Sequence, residues 1–493
     1  MTKIRIFHKA LFLLLPLFAI SACSTNQATG RNQFTGLMST SQETQIGAQE
    51  HQKILAQYGG AVKDKALRDY VTRIGEKIVP FTERQDVDYT FTLLDSPVVN
   101  AFALPGGYVY VTRGILMLAN DESELAGVIG HEIGHVTARH SAERYSTSVL
   151  TSLGASILSA AIKVDGARQA LGLGANLYLS SYSRSQEHEA DDLGIRYLSR
   201  AGYDPQGMAR FLVALEASAK LEALEAGKSA KNSGPSYLST HPVTAERITQ
   251  SVAEGRKYPQ GSNQTNRVEY LKAVNGMVIG DSAEQGFVDN NKFIHPELGF
   301  TFDVPNDFKF QNTAQAVIAQ SKSNSGASLI FVGGKKDVSQ SAEDYLRQVV
   351  LKGNMDGTRD FGTNIVNGFK TASVEKTGSL NGKAANMRIV VFEYAPKSVY
   401  VFTIAMPRGT SATDITKMQN SVFSFSRISN AERNKYRPKQ LGIRVAKYND
   451  TAESMSKNFP YNDGLNALRF RTINGLNGNE GLRQGQAYKI IRQ

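Results

Sequence analysis

Apolar positions recur at helical spacing early in the chain. Ile46, Ile54, Leu55, Leu67, Tyr70, Val71, Ile74 and Ile78, between Gln42 and Thr82, predict two packing helices broken at Gly59-Gly60. The pattern then switches to period two: Tyr89, Phe91 and Leu93 alternate with Thr90 and Thr92, predicting a strand over 88–95. Residues 100–112 (NAFALPGGYVYVT) read as strand, Pro-Gly-Gly turn and strand. The helical period returns with Leu125, Val128, Ile129, Ile133 and Val136, a buried stripe whose start is marked by Asp121 with Glu124 three residues on. Gly127, Gly130 and Gly134 weaken that helix intrinsically and predict the close approach of another backbone. A further helix over 183–198 is stopped by Gly202 and Pro205. Between these two helices, residues 149–162 are apolar or small throughout and residues 167–179 are Gly/Ala/Leu-rich, each run shorter than the ~20 residues that span a bilayer. They read as a helix pair, either a lid or lipid-dipping element or a buried hairpin.

Beyond Ile248 a polar stretch (255–267), a helical run (268–279) and Gly280-Asp281 place a domain boundary within 265–290. Residues 299–304, 327–332, 387–392 and 399–404 then predict strands, and 342–351 and 411–422 helices, an α/β pattern without a metal-ligand or nucleophile constellation.

At 493 residues the chain exceeds one compact core. Its formal charge of +11 is unevenly placed: residues 1–289 hold 28 Lys/Arg and 29 Asp/Glu, and residues 290–493 hold 28 and 16. The basic surplus predicts an anionic partner for the C-terminal part, and with no nucleic-acid-binding pattern present, nucleic acid is not expected. Lys3, Arg5 and Lys9 precede an apolar run to Ile20, the layout of an export signal. It ends in Ile20-Ser21-Ala22-Cys23, which resembles the lipobox of bacterial lipoproteins. That resemblance implies cleavage before Cys23 and its lipidation, and Ser24 in place of Asp implies the outer membrane. Cys23 is the chain's single cysteine, so no internal disulfide forms.

The chemistry concentrates in His131-Glu132-Ile133-Gly134-His135. Two imidazoles four residues apart share a helix face and can bind one zinc ion, and the intervening glutamate can take a proton from its bound water. On the later helix Glu187 and Asp191 also share a face, so one can bind metal while the other accepts the N–H of a ligating histidine. Helical geometry turns His188 and Glu189 away from Glu187 and His140 about 140° from His135, so Glu189 cannot share the role of Glu187, and His140 and His188 are assigned packing or surface roles.

HEIGH, the run RSQEHEAD at 184–191, AGYDP at 201–205, the strand 100–116 and LSTHP at 238–242 with Arg247 and Ile248 together resemble the M48 family of zinc metallopeptidases over residues 40–255. The resemblance implies one zinc ion per chain on His131, His135 and Glu187, with Glu132 as general base and Asp191 behind a ligand. It further implies His241 and Arg247 at the catalytic centre, where His241 either assists catalysis or plugs the open metal position, and either Arg247 or protonated His241 is expected to stabilise the oxyanion. The strand carrying Gly107, Tyr108, Val109 and Tyr110 is expected to hold an extended substrate by main-chain hydrogen bonds. Residues 474–491 weakly resemble the end of a LysM module, implying peptidoglycan or another anionic envelope surface as a partner.

The expected architecture is α+β: a lipoprotein signal peptide (1–22), a tether (23–41), and a mainly helical zincin-type metallopeptidase domain with a small β-hairpin or sheet (42–265). A linker helix (266–290), an α/β accessory domain (291–430) and a small basic C-terminal module (438–493) follow. The expected function is a zinc endopeptidase, an outer-membrane lipoprotein facing the periplasm and acting on unfolded or misassembled envelope proteins. The alternative is a chaperone-like assembly factor with a mostly repressed peptidase.

Overall fold

A computed structural model describes residues 23–162, 181–225, 237–258, 264–289 and 291–493, apart from the single positions 306, 324, 381 and 479. The expected signal peptide and the whole second apolar run (167–179) lie outside the described residues. The chain forms two compact units, the first built from Gly60–Ile279 with Lys439–Arg492 and the N-terminal segment, the second from Gly280–Pro438 with Ala56–Gly59.

The first unit opens with β1 (Cys23–Thr25) paired antiparallel to β2 (Asn32–Phe34). The segment expected as a tether is therefore folded, and Asn26 donates to the Thr137 carbonyl of the metal-motif helix at 3.0 Å. Helices α1 (Thr40–Gln57) and α2 (Lys65–Ile78) follow, with Gly59 and Gly60 at φ 81° and 85° between them. Only glycine takes that left-handed backbone without penalty.

Strands β3 (Thr90–Leu94), β4 (Ala101–Leu104) and β5 (Tyr108–Thr112) form a sheet in the order β3-β5-β4, with β3 parallel and β4 antiparallel to β5. This corrects the expectation for Gly107, Tyr108, Val109 and Tyr110. Their strand lies in the middle, its ladder positions paired on both sides, and the edge strands are β3 and β4. Alternating hydrophobicity locates strands but carries no information on their lateral order.

Helices α3 (Arg113–Leu118), α4 (Glu122–Thr137), α5 (His140–Ile162), α6 (Arg184–Arg200), α7 (Gly207–Glu225), α8 (Tyr237–Thr240), α9 (Ala245–Gly255) and α10 (Arg267–Val274) complete this part. Asp121 caps α4 by accepting from Glu124 N at 2.9 Å, while the Glu124 carboxylate reaches one residue further back, to Asn120 N at 2.8 Å. The α4 glycines let α6 and α7 close in. A Cβ on Gly134 would lie 2.9 Å from the Ala190 carbonyl, and one on Gly194 of α6 would lie 2.7 Å from His131 N. That backbone contact brings the two sequence motifs face to face.

The second unit starts at Gly280 and is antiparallel throughout, so the α/β expectation for 291–430 is corrected to α+β. Strands β6 (Phe287–Asp289), β7 (Lys292–His295) and β8 (Phe300–Asp303) form a four-stranded sheet with a two-residue strand at Ser426–Arg427. Strands β9 (Phe308–Asn312), β10 (Val317–Ser321), β11 (Ser328–Lys335), β12 (Thr358–Val366), β13 (Phe369–Leu380), β14 (Lys383–Ala395) and β15 (Ser398–Pro407) form a seven-stranded sheet. Each face of β14 is buried, Val390 and Phe392 in an aromatic cluster with Phe300, Phe331 and Phe402, and Ile389 and Val391 under the helix carrying Tyr345.

The chain leaves the first unit at Ile279 and returns at Lys439, whose carbonyl accepts from Ile279 N at 2.9 Å. Residues 440–492 fold as a strand, two short helices and a strand, the strands Gln440–Val445 and Ala487–Arg492 pairing antiparallel. Rather than standing apart, this segment sinks Leu441, Phe470, Tyr488 and Ile491 into the core shared with α3, α4 and α7. Buried Lys489 donates from Nζ to the carbonyls of Met117 at 2.7 Å and Ala119 at 2.6 Å, capping the C-terminus of α3. Lys489→Met leaves those carbonyls without a donor and is expected to cost about 1–3 kcal/mol in denaturant unfolding. An unchanged midpoint would show that the cap contributes nothing.

Candidate active site

Helix α4 presents His131, Glu132 and His135, and α6 presents Glu187 and Asp191, all buried. His241, directly after α8, completes the group, so that His131, His135, Glu187 and His241 bring their ligand atoms within 4.8 Å of one another. His131 Nε2 and His135 Nε2 lie 3.0 Å apart, and His131 Nε2 and His241 Nδ1 3.3 Å. Glu187 Oε1 lies 2.9 Å from His241 Nδ1 and 3.6 Å from His135 Nε2. Tetrahedral coordination with bonds of about 2.0–2.1 Å has ligand–ligand edges of about 3.3–3.4 Å. The observed separations bracket that value, so these four side chains fit a metal ion, with His241 at the fourth corner.

The groups behind the ligands are equally specific. His131 Nδ1 lies 2.8 Å from Asp191 Oδ1, so a carboxylate stands beside the ring nitrogen opposite the converging Nε2. Arg247, on α9, donates through Nε and Nη2 to the two oxygens of Asp191 at 2.8 Å each, and Nη1 lies 2.7 Å from Glu187 Oε2 and donates to the Pro242 carbonyl at 3.0 Å. Arg247 thus braces the acidic residues of the site through its fork onto Asp191 and its bond to the Pro242 carbonyl beside Glu187. Burial alone would raise the Asp191 carboxyl, but Arg247 and His131 outweigh it and bring it down to about 2. Glu187 is likewise lowered against its burial by His241, His131 and Arg247. His241 moves up, because Glu187 and Glu132 outweigh the effect of burial.

Glu132 differs from these. Both its carboxylate oxygens are buried without a hydrogen-bond partner among the described residues, and His241 Nε2 lies 3.6 Å from Oε1. Burial raises its pKa, with His241 and His131 opposing. An orphaned, basic carboxylate beside converging ligand atoms is what a proton acceptor requires. A narrow cleft lined by Ala103, Leu104, Gly106, His135, Arg139 and Tyr182 connects the site with β4.

Several neighbours escaped the sequence reading. Tyr182 stacks on His135 with ring centroids 3.7 Å apart, and Tyr237 stacks on His241 at 4.5 Å. His140, expected in a packing role, is fully buried with Nδ1 2.8 Å from His135 Nδ1. Arg139, between α4 and α5, has φ 55°, and this left-handed residue turns the chain so that His140 points back at the site. A helical wheel drawn through that break misplaces it.

The model of Peptidase family M48 matches residues 65–254. A Vibrio cholerae relative named for beta-barrel assembly enhancement is 33% identical over 207 residues, 40% of this chain and 41% of that one. The beta-barrel assembly-enhancing protease of Escherichia coli K12 is 31% identical over 220 residues, 43% of each chain. The mitochondrial metalloendopeptidase OMA1 of Schizosaccharomyces pombe is 29% identical over 212 residues, 42% of this chain and 59% of that one. The matches thus span less than half the length of both bacterial relatives. Family match, motif order and a buried His-His-Glu-His cluster agree: residues 65–254 are a domain of the metallopeptidase family M48.

Proposed function

We propose that the chain is a zinc endopeptidase of the bacterial envelope whose resting state is closed by His241. The observation that carries this reading is the convergence of His131, His135, Glu187 and His241 beside the unpartnered carboxylate of Glu132. His131, His135 and Glu187 would hold a zinc ion, which would supply a water of near-neutral pKa and polarisation of a peptide carbonyl. Glu132, raised by burial, takes the proton of the attacking water and passes it to the leaving amine. Asp191 and Arg247 keep His131 and Glu187 in place through the reaction. The free edge of β4 receives the substrate as an added strand, so recognition runs through the main chain and suits unfolded segments of misassembled envelope proteins. The names of the bacterial relatives support an envelope substrate, and lipidated Cys23 would hold the enzyme at the outer membrane facing the periplasm.

His241 decides between an active peptidase and a mostly repressed assembly factor. Its Nδ1 stands where a metal's open position would be, and Tyr237 stacks behind it. His241→Ala is therefore expected to raise cleavage of casein by roughly tenfold, the factor that removing about 1.4 kcal/mol of closure supplies. A fall in cleavage would make His241 an assisting group, and unchanged cleavage would dismiss both roles.

A further inference from the structure

The two histidines of HEIGH are supported differently. His131 is backed by Asp191 directly, at 2.8 Å. His135 is backed by a chain: its Nδ1 lies 2.8 Å from His140 Nδ1, and His140 Nε2 lies 2.8 Å from Glu189 Oε2. Arg31, on the turn leading into β2, donates from Nε and Nη2 to Glu189 at 3.3 and 3.2 Å. The same guanidinium forks onto Glu143 at 2.6 and 2.8 Å, and Gln186 donates to Glu143 at 2.9 Å. Arg139 fixes the turn before His140, donating to Glu43 at 3.2 Å and to the Met38 carbonyl at 2.7 Å.

Hydrogen-bond logic sets the direction of this chain. An ionised Glu189 only accepts, so His140 carries its proton on Nε2 and presents a bare Nδ1. Two nitrogens 2.8 Å apart share one proton, which then belongs to His135 Nδ1. His135 Nε2 is left bare and faces the cluster. We propose that His140, Glu189 and Arg31 are positioning residues that fix the tautomer and orientation of His135, making the N-terminal hairpin an integral support of the metal site. The proposal rests on His135 being a metal ligand, as the proposed function has it. It gives Glu189, whose place on α6 excludes it from the ligand set, a defined task, and it ties the segment following Cys23 to the catalytic helix.

The test is zinc affinity of the full chain, measured by competition with a chromophoric chelator, together with the visible spectrum of the cobalt-substituted protein. His140→Phe keeps a ring but offers neither acceptor nor donor, and its zinc Kd is expected to rise by about 10- to 100-fold, as when other groups that orient metal ligands are removed. His140→Gln, which restores an acceptor for His135 and a donor for Glu189, recovers most of the loss. Glu189→Gln and Arg31→Leu weaken binding progressively less, following their distance from the ligand, and the cobalt spectrum of the His140→Phe chain shifts. Wild-type affinity in both His140→Phe and Glu189→Gln would overturn the proposal, as would equal losses in His140→Phe and His140→Gln with an unshifted cobalt spectrum. Should His140→Phe fail to fold, Glu189→Gln and Arg31→Leu carry the test alone. A His135→Ala control separates this failure from that of the underlying reading: if it binds zinc as the wild type does, His135 is not a ligand.

Discussion

A Glu132→Gln chain hydrolyses casein about 10²- to 10⁴-fold more slowly than the wild type while binding its metal as tightly, the range expected when a positioned general base is removed. Glutamine keeps the shape of the side chain and loses only the ability to take a proton. Neither Glu132 oxygen has a partner among the described residues, so no hydrogen bond seen there is lost with the charge. Burial lifts the Glu132 carboxyl above its ordinary range, and the acid limb of the wild-type kcat/KM profile is expected above ordinary carboxylate titration. That limb should vanish from the residual activity of the variant. Equal turnover by the two chains would refute the mechanism, whereas lost turnover together with lost metal would show that Glu132 holds the site together.

The contrast between what the sequence reveals and what it hides follows from where each contact lies along the chain. His131, Glu132 and His135 are readable because one helix carries them at its own period, and Glu187 and Asp191 are readable for the same reason. Arg247 is placed near the site by its motif, but its task depends on atoms more than fifty residues away: its fork closes on Asp191, and no spacing rule encodes that. His140 is hidden by one residue, Arg139, whose left-handed backbone breaks the helical phase. In the second unit, β12 is exposed along most of its length and shows no apolar period, so its strand character comes from pairing with β13 alone. Residues 440–492 look like a separate basic module because charge is counted along the chain. The apolar side chains that join them to α3 and α7 are too few per element to reveal a partner.

Arg247→Leu is expected to destabilise the first unit by about 3–5 kcal/mol at neutral pH, because it strands Asp191 and Glu187 as buried charges without their cation. The pH dependence identifies the cause. In the wild type the Asp191 carboxyl stands at about 2, below its ordinary 3.8, with Arg247 and His131 outweighing burial. Its stabilising contribution is therefore present above 3.8 and lost as pH falls through about 2. Without Arg247 the balance shifts towards burial, the carboxyl rises, and the ionised form is the costly one. Denaturant unfolding in the presence of a chelator, which removes metal release from the comparison, should show the variant gaining stability between pH 7 and pH 5 relative to the wild type. Arg247→Lys keeps the charge but cannot fork onto two carboxylate oxygens, so its stability should fall between the other two. Parallel pH profiles, or an Arg247→Leu chain as stable as the wild type, would mean that the arginine is not what holds the acidic residues of the site.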